Sequence, residues 1–148
     1  MDFHQYAFTR QLEPHQAAAL DQHAQVCAIA KGHYMCRQGD KDDVLYLLLA
    51  GTVSLEISVP NQGPVQIEHL GAGELLGWSW LTPGSGWMFD IRALTEVKAL
   101  RIEGSSLREL CERDSRLGYQ LCRAYALATA ERLNAARMRL LDSFGTHH

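Results

Sequence analysis

Hydrophobic and polar positions change period twice along this chain. Ala17, Leu20, Ala24 and Cys27 recur at spacings of three and four, the mark of an amphipathic helix, and Pro14 suits a first helical turn. A helix over residues 14–27 is expected. From Val26 the period becomes two, and candidate strands fall at 26–30, 33–37, 44–49, 52–59, 65–70, 87–93 and 97–102. Lys31-Gly32, Gln38-Gly39-Asp40, Ala50-Gly51, Pro60-Asn61-Gln62-Gly63 and Gly71-Ala72-Gly73 separate them as turns. Short strands at this spacing predict a sandwich or jelly roll, not a parallel sheet.

After residue 103 the helical period returns. Ser106-x-x-Glu109 reads as a capping box that opens a helix over 107–112. Asp114 or Ser115 can cap a longer helix running to about residue 142, roughly 40 Å in length. Leu117, Leu121, Ala124, Leu127 and Ala128 form one face, and Leu133, Ala136, Leu140 and Leu141 continue it with a drift. The first half of this face packs on its own sheet. The second half outruns the domain, and its many alanines let another helix approach, so a homodimer through residues 121–141 is expected. Gly145 ends the helix, and Thr146-His147-His148 reads as a frayed tail. The chain divides into a helical segment at 1–28, a β-barrel at 29–103 and helices at 105–142, all within one domain, 1–148.

The stretch 73–93 stands out from the rest. It carries all three tryptophans, four glycines and one of the four prolines. Gly73 and Gly77 let backbone come close to a ligand. Residues 76–81 are too short and too glycine-flanked for a standard helix, and read as one turn with outward N–H groups of the type that hold anions. Pro83-Gly84-Ser85-Gly86 is a loop, and 87–93 a strand.

Composition narrows the function. The 148 residues are 47% hydrophobic and 21% charged, ordinary for one globular domain. A net charge of −3 and a pI near 6.1 argue against a phosphate-binding surface for DNA. No apolar run approaches a membrane span, and the first residues lack a signal peptide's basic and apolar regions, so a cytoplasmic location is expected. Cys27, Cys36, Cys111 and Cys122 form no Cys-x-x-Cys pair. Buried thiols are expected, and no metal site. The histidines share no ligand spacing either: His33 and His69 each lack a second histidine two places away, which a cupin-type metal centre needs.

In order and spacing, three segments resemble the cyclic nucleotide-binding domain, the effector domain of the catabolite-activator and fumarate–nitrate regulator type. They are Gln38-Gly39-Asp40, Leu45 to Val53 with its central Gly51, and Leu70-Gly71-Ala72-Gly73-Glu74. Leu76-Gly77-Trp78-Ser79-Trp80-Leu81 and Trp87-x-Phe89-Asp90-x-Arg92-Ala93 further resemble a subgroup of short single-domain bacterial proteins. The resemblance implies an antiparallel jelly-roll barrel, cupin-like and mainly β, followed by a long C-terminal helix. It places the ligand contacts at Gly73, Glu74, Leu75, Gly77, Trp78 and Ser79. Trp87, Met88 and Arg92 complete the set.

Two departures from the pattern bear on function. Binders of that family carry an arginine at the end of the cassette for the cyclic phosphate, and here that place falls near Trp87-Met88. No Arg or Lys lies between Lys41 and Arg92. Losing a charged hydrogen bond costs about 1.5–3 kcal/mol, a tenfold to hundredfold drop in affinity. Arg92 can replace that cation only if its strand turns it inward; the other reading is a same-face ion pair with Asp90. Glu74 either meets a ribose hydroxyl, as in binders, or fixes its own turn. The tryptophans either stack on a ligand or fill core. The second departure is that no helix-turn-helix pattern follows the long helix, so no direct DNA binding is expected. The reading is a non-enzymatic sensor for a cyclic nucleotide or another small anionic effector, signalling as a dimer, with a further protein partner left open. A ligand-free dimerisation scaffold is the alternative, and a cupin-like enzyme ranks below both.

Overall fold

The computed structural model describes residues 12–145; the tail at Thr146-His147-His148 and the first eleven residues lie outside them. In chain order the elements are α1 (Pro14–His23), β1 (Ala24–Ile29), β2 (Tyr34–Cys36), β3 (Val44–Ala50) and β4 (Val53–Val59). Then come β5 (Gly63–Leu70), β6 (Leu75–Leu76), β7 (Asp90–Ala93), β8 (Val97–Glu103), α2 (Gly104–Arg113) and α3 (Ser115–Gly145). Two four-stranded sheets, ordered β1-β8-β3-β6 and β2-β7-β4-β5, pair antiparallel throughout. This is the expected antiparallel jelly roll with flanking helices and a long final helix.

β3 explains the layering. Val44 to Leu48 are all buried, so both faces of the strand are covered. Val44, Tyr46 and Leu48 point between the sheets, with Val53, Leu55, Leu70, Ile91 and Val97. Leu45 and Leu47 point the other way, against Leu20, Leu107, Leu110, Leu117 and Leu121 of the three helices. The barrel interior and the helix-facing layer are thus two cores divided by one sheet.

Several boundaries differ from the sequence expectation. The first helix stops at His23 instead of Cys27, because Ala24 to Ile29 pair residue for residue with Ile102 to Val97. A complete ladder outweighs one more helical turn. The capping box at Ser106 and Glu109 does not form the helix start: α2 begins at Gly104, where the chain leaves β8 directly, and Gly104 N–H donates to the Asp43 carbonyl. Asp114 does cap α3, its Oδ1 accepting the Leu117 N–H at 3.1 Å. The last expected strand before β8 starts at Asp90, not Trp87. Trp87 instead exchanges backbone bonds with the Gln38-Gly39-Asp40 turn, its N–H to the Asp40 carbonyl and its carbonyl from the Gly39 N–H. Of the thiols, Cys36 is buried and pushed up to about 12 by its burial, whereas Cys122 is exposed, against expectation, on a face of α3 that no described residue covers.

Gly77 sits at a tight turn, at φ +102°. A Cβ there would lie 2.6 Å from the Val44 carbonyl oxygen and 3.0 Å from Trp87 Cη2. Gly77→Ala is therefore expected to destabilise the fold by about 1–3 kcal/mol, read as a lower urea midpoint at unchanged slope.

Candidate functional site

The segment between β5 and β7 is built by short-range bonds from β3. The Gly73 N–H donates to the Leu48 carbonyl at 2.7 Å, and the Leu48 N–H donates to the Glu74 carbonyl at 3.0 Å. The Glu74 carboxylate accepts the Gly71 N–H at 3.3 Å, so it braces its own turn. Leu75 and Leu76 then pair with Leu47 and Tyr46. The turn expected over 76–81 accordingly begins later, after β6. The Leu81 and Thr82 N–H groups close it by donating to the Trp78 carbonyl.

Side chains pin that turn to the helices. Ser79 Oγ donates to Asp43 Oδ1 at 3.1 Å. Arg108 of α2 pairs with the other Asp43 oxygen at 2.8 Å and donates to the Trp80 carbonyl. The three tryptophans part company. Trp80 is buried among the helices and meets Tyr125 edge-on at 6.4 Å. Trp87 is buried inside the barrel against Tyr46, its Nε1 donating to the Asp42 carbonyl. Trp78 meets Phe89 edge-on and walls a cavity.

That cavity has a volume of about 40 Å³. Leu55, Leu76 and Ile91 form its barrel side. Gly77, Trp78, Ser79, Trp87, Met88 and Phe89 come from the connecting segment, and Tyr125 and Arg132 from α3. Five of the nine residues singled out by sequence meet here: Gly77, Trp78, Ser79, Trp87 and Met88. Gly73, Glu74, Leu75 and Arg92 are not in its lining.

Arg92 is held elsewhere. Its Nη2 lies 2.6 Å from Glu56 Oε2, and Glu56 is fully buried. The expected pair between Asp90 and Arg92 does not form. Strand register sets Asp90 opposite Glu56 and Arg92 opposite Ser54, so the arginine serves the buried carboxylate that like-charge Asp90 would repel. Asp90 turns to the Gln38 N–H at 2.7 Å and to Arg37 at 3.4 Å.

The cation of the cavity comes from α3, and the sequence reading missed it. Arg132 Nη2 donates to the Leu75 carbonyl at 2.7 Å, while its buried Nε has no partner. A signal existed: Leu117, Leu121, Tyr125, Ala128 and Arg132 follow each other at four, four, three and four, one helical stripe ending in a charge. Glu74 feels this cation. Burial raises the Glu74 carboxyl above its ordinary range, and Arg132 offsets part of that rise. Among the described residues no group of three or more His, Cys, Asp or Glu could hold a metal.

Residues 26–114 match the sequence model of the cyclic nucleotide-binding domain. The CRP-like cAMP-activated global transcriptional regulator of Mycobacterium tuberculosis is 26% identical over 116 residues, 78% of this chain and 51% of its own. The chain thus spans about half the length of the curated relatives it matches. The catabolite activator protein of Thermus thermophilus is 26% identical, with a TM-score of 0.72 over 93% of this chain and 63% of its own. A cyclic nucleotide-binding domain from Methylobacillus flagellatus superposes at a TM-score of 0.80 over 89% of this chain and 74% of its own; at 21% identity it bears on the fold alone.

The sign of the Glu74 effect gives a test. A carboxyl raised in the folded state binds its proton more tightly than in the unfolded chain, so its contribution to stability is present at low pH. That contribution falls as pH rises from the ordinary carboxylate range through the folded value. Glu74→Gln should flatten this decline, as measured by urea midpoints across mildly acidic pH.

Proposed function

We propose that this chain, which belongs to the cyclic nucleotide-binding domain family, is a regulatory module that senses a small molecule other than a cyclic nucleotide and signals through paired α3 helices. The observation that carries the reading is the shared wall: Tyr125 and Arg132 of α3 close the cavity that the barrel opens. Whatever fills the cavity touches the helix that leaves the domain. The relatives are regulators, and we read this chain as a binding module, not an enzyme. Four free thiols fit a reducing compartment, and no described helix is long and apolar enough to cross a membrane.

Two features weigh against cyclic AMP. Where the family resemblance puts the phosphate-binding guanidinium stands Trp87, an indole packed in the barrel core. The cavity of about 40 Å³ is also far below the roughly 300 Å³ at which ligand pockets usually begin. The same small volume favours the second reading, a scaffold whose own indole has replaced the ligand.

α3 carries the signal in this proposal. Beyond Arg132 its residues are exposed, including Leu133, Leu140 and Phe144 at 70%, 59% and 66%. Ala126, Ala130, Leu133, Leu140 and Phe144 fall on one seam of a three-and-four repeat, which suits a second copy of the same helix.

Sedimentation at tens of micromolar should show a dimer for the full chain and a monomer for Leu133→Glu with Leu140→Glu, the barrel staying folded by circular dichroism. A monomeric full chain would remove the dimer from the proposal. Calorimetry with cyclic AMP should show binding about tenfold to hundredfold weaker than a cassette with its guanidinium gives. Submicromolar affinity would overturn the exclusion of cyclic nucleotides.

A further inference from the structure

Arg132 is the one charged residue among those lining the cavity, and a guanidinium keeps its charge at every relevant pH. Its Nε–H is buried and unpartnered. A buried donor on a cation is costly to leave unpaired, so its position asks for an acceptor. Two of the other polar side chains in the lining are already committed. Ser79 has given its hydroxyl to Asp43, and Trp87 has given its Nε1–H to Asp42. The rest of the wall is largely aromatic and apolar, Leu55, Met88, Phe89 and Ile91, with one hydroxyl from Tyr125 and one indole N–H from Trp78. Such walls take a flat apolar body by edge-on and sulfur–aromatic contacts.

Resting on the effector-binding reading above, we infer that the cavity takes a small aromatic monocarboxylate, whose carboxylate binds Arg132 and whose ring lies among Trp78, Phe89 and Met88. One cation matches one negative charge. A carboxylate accepts side-on from an arginine edge, and here Nη2 is already fixed by the Leu75 carbonyl, so the fork is held in place before the ligand arrives. A phosphate ester brings more charge and more polar oxygens than one guanidinium and the two neutral donors of Tyr125 and Trp78 match.

The cavity must widen for such a guest. At about 40 Å³ it falls well short of the roughly 150 Å³ known to admit a benzene ring in another protein. Met88 is the wall that can move. It is 58% exposed, unbranched and flexible, whereas Trp87 opposite is locked in the core.

The test is a tryptophan-fluorescence titration of the full chain, since Trp78 and Trp87 both line the cavity. The probes are benzoate, phenylacetate and indole-3-acetate, their primary amides, and cyclic AMP. The acids are expected to bind and to exceed their amides by about tenfold to hundredfold, the worth of a charged hydrogen bond. Arg132→Gln should abolish that preference and Arg132→Lys retain part of it. Met88→Ala, at an exposed position, should tighten the acids. Equal binding of acid and amide, or a preference that survives Arg132→Gln, overturns the inference. Binding of cyclic AMP without any acid overturns it, and with it the exclusion of cyclic nucleotides, while leaving the cavity as an effector site. Binding of no probe at all removes both and leaves the scaffold.

Discussion

A strand whose consecutive side chains are all apolar must be covered on both faces, and β3 meets this constraint by dividing two cores. Val44, Tyr46 and Leu48 close the barrel interior, and Leu45 and Leu47 seat the helices. Burying each such side chain is worth about 1.5–3 kcal/mol, so neither layer is optional. Because β3 also supplies the bonds that hold Gly73 and Glu74, the connecting segment is positioned by the same strand that positions the helices. The cavity between them inherits its shape from both.

Charge placement follows from this layering. Asp43, just before β3, takes Ser79 on one oxygen and Arg108 on the other, so one carboxylate joins the connecting segment to α2. Glu56 is buried and takes Arg92. The barrel's own nearby arginine is thereby committed to structure, and the cation that reaches the cavity arrives from a helix forty positions later in the chain.

Much of this was legible in the sequence. Short runs of apolar and β-branched residues at 44–49, 52–59 and 97–102, with glycine turns between, marked the strands, although β3 is apolar on both faces and shows no alternation. The limits were local contests with distant pairing. Nothing near Ala24 signals that Val97 to Ile102 will claim it from the helix, and nothing near Trp87 signals the Gly39 turn that draws it out of the strand. Gly77, Trp78, Ser79, Trp87 and Met88 could be grouped because they lie within one short stretch. Arg132 could not be assigned to that group by proximity in sequence; only the helical stripe through Leu121 and Tyr125 connects it, and that stripe looked complete without a charge.

The anchoring of Arg132 on the Leu75 carbonyl has a thermodynamic corollary. A site whose wall is split between barrel and helix is whole only while the two are seated together. Linkage then requires reciprocity: whatever factor the occupant contributes to the seating of α3, the seating of α3 returns to the occupant's affinity. A neighbour that grips the outer end of α3 and shifts it by a fraction of a turn would act on the cavity without ever touching it, and the strength of that influence would be legible from the barrel side alone.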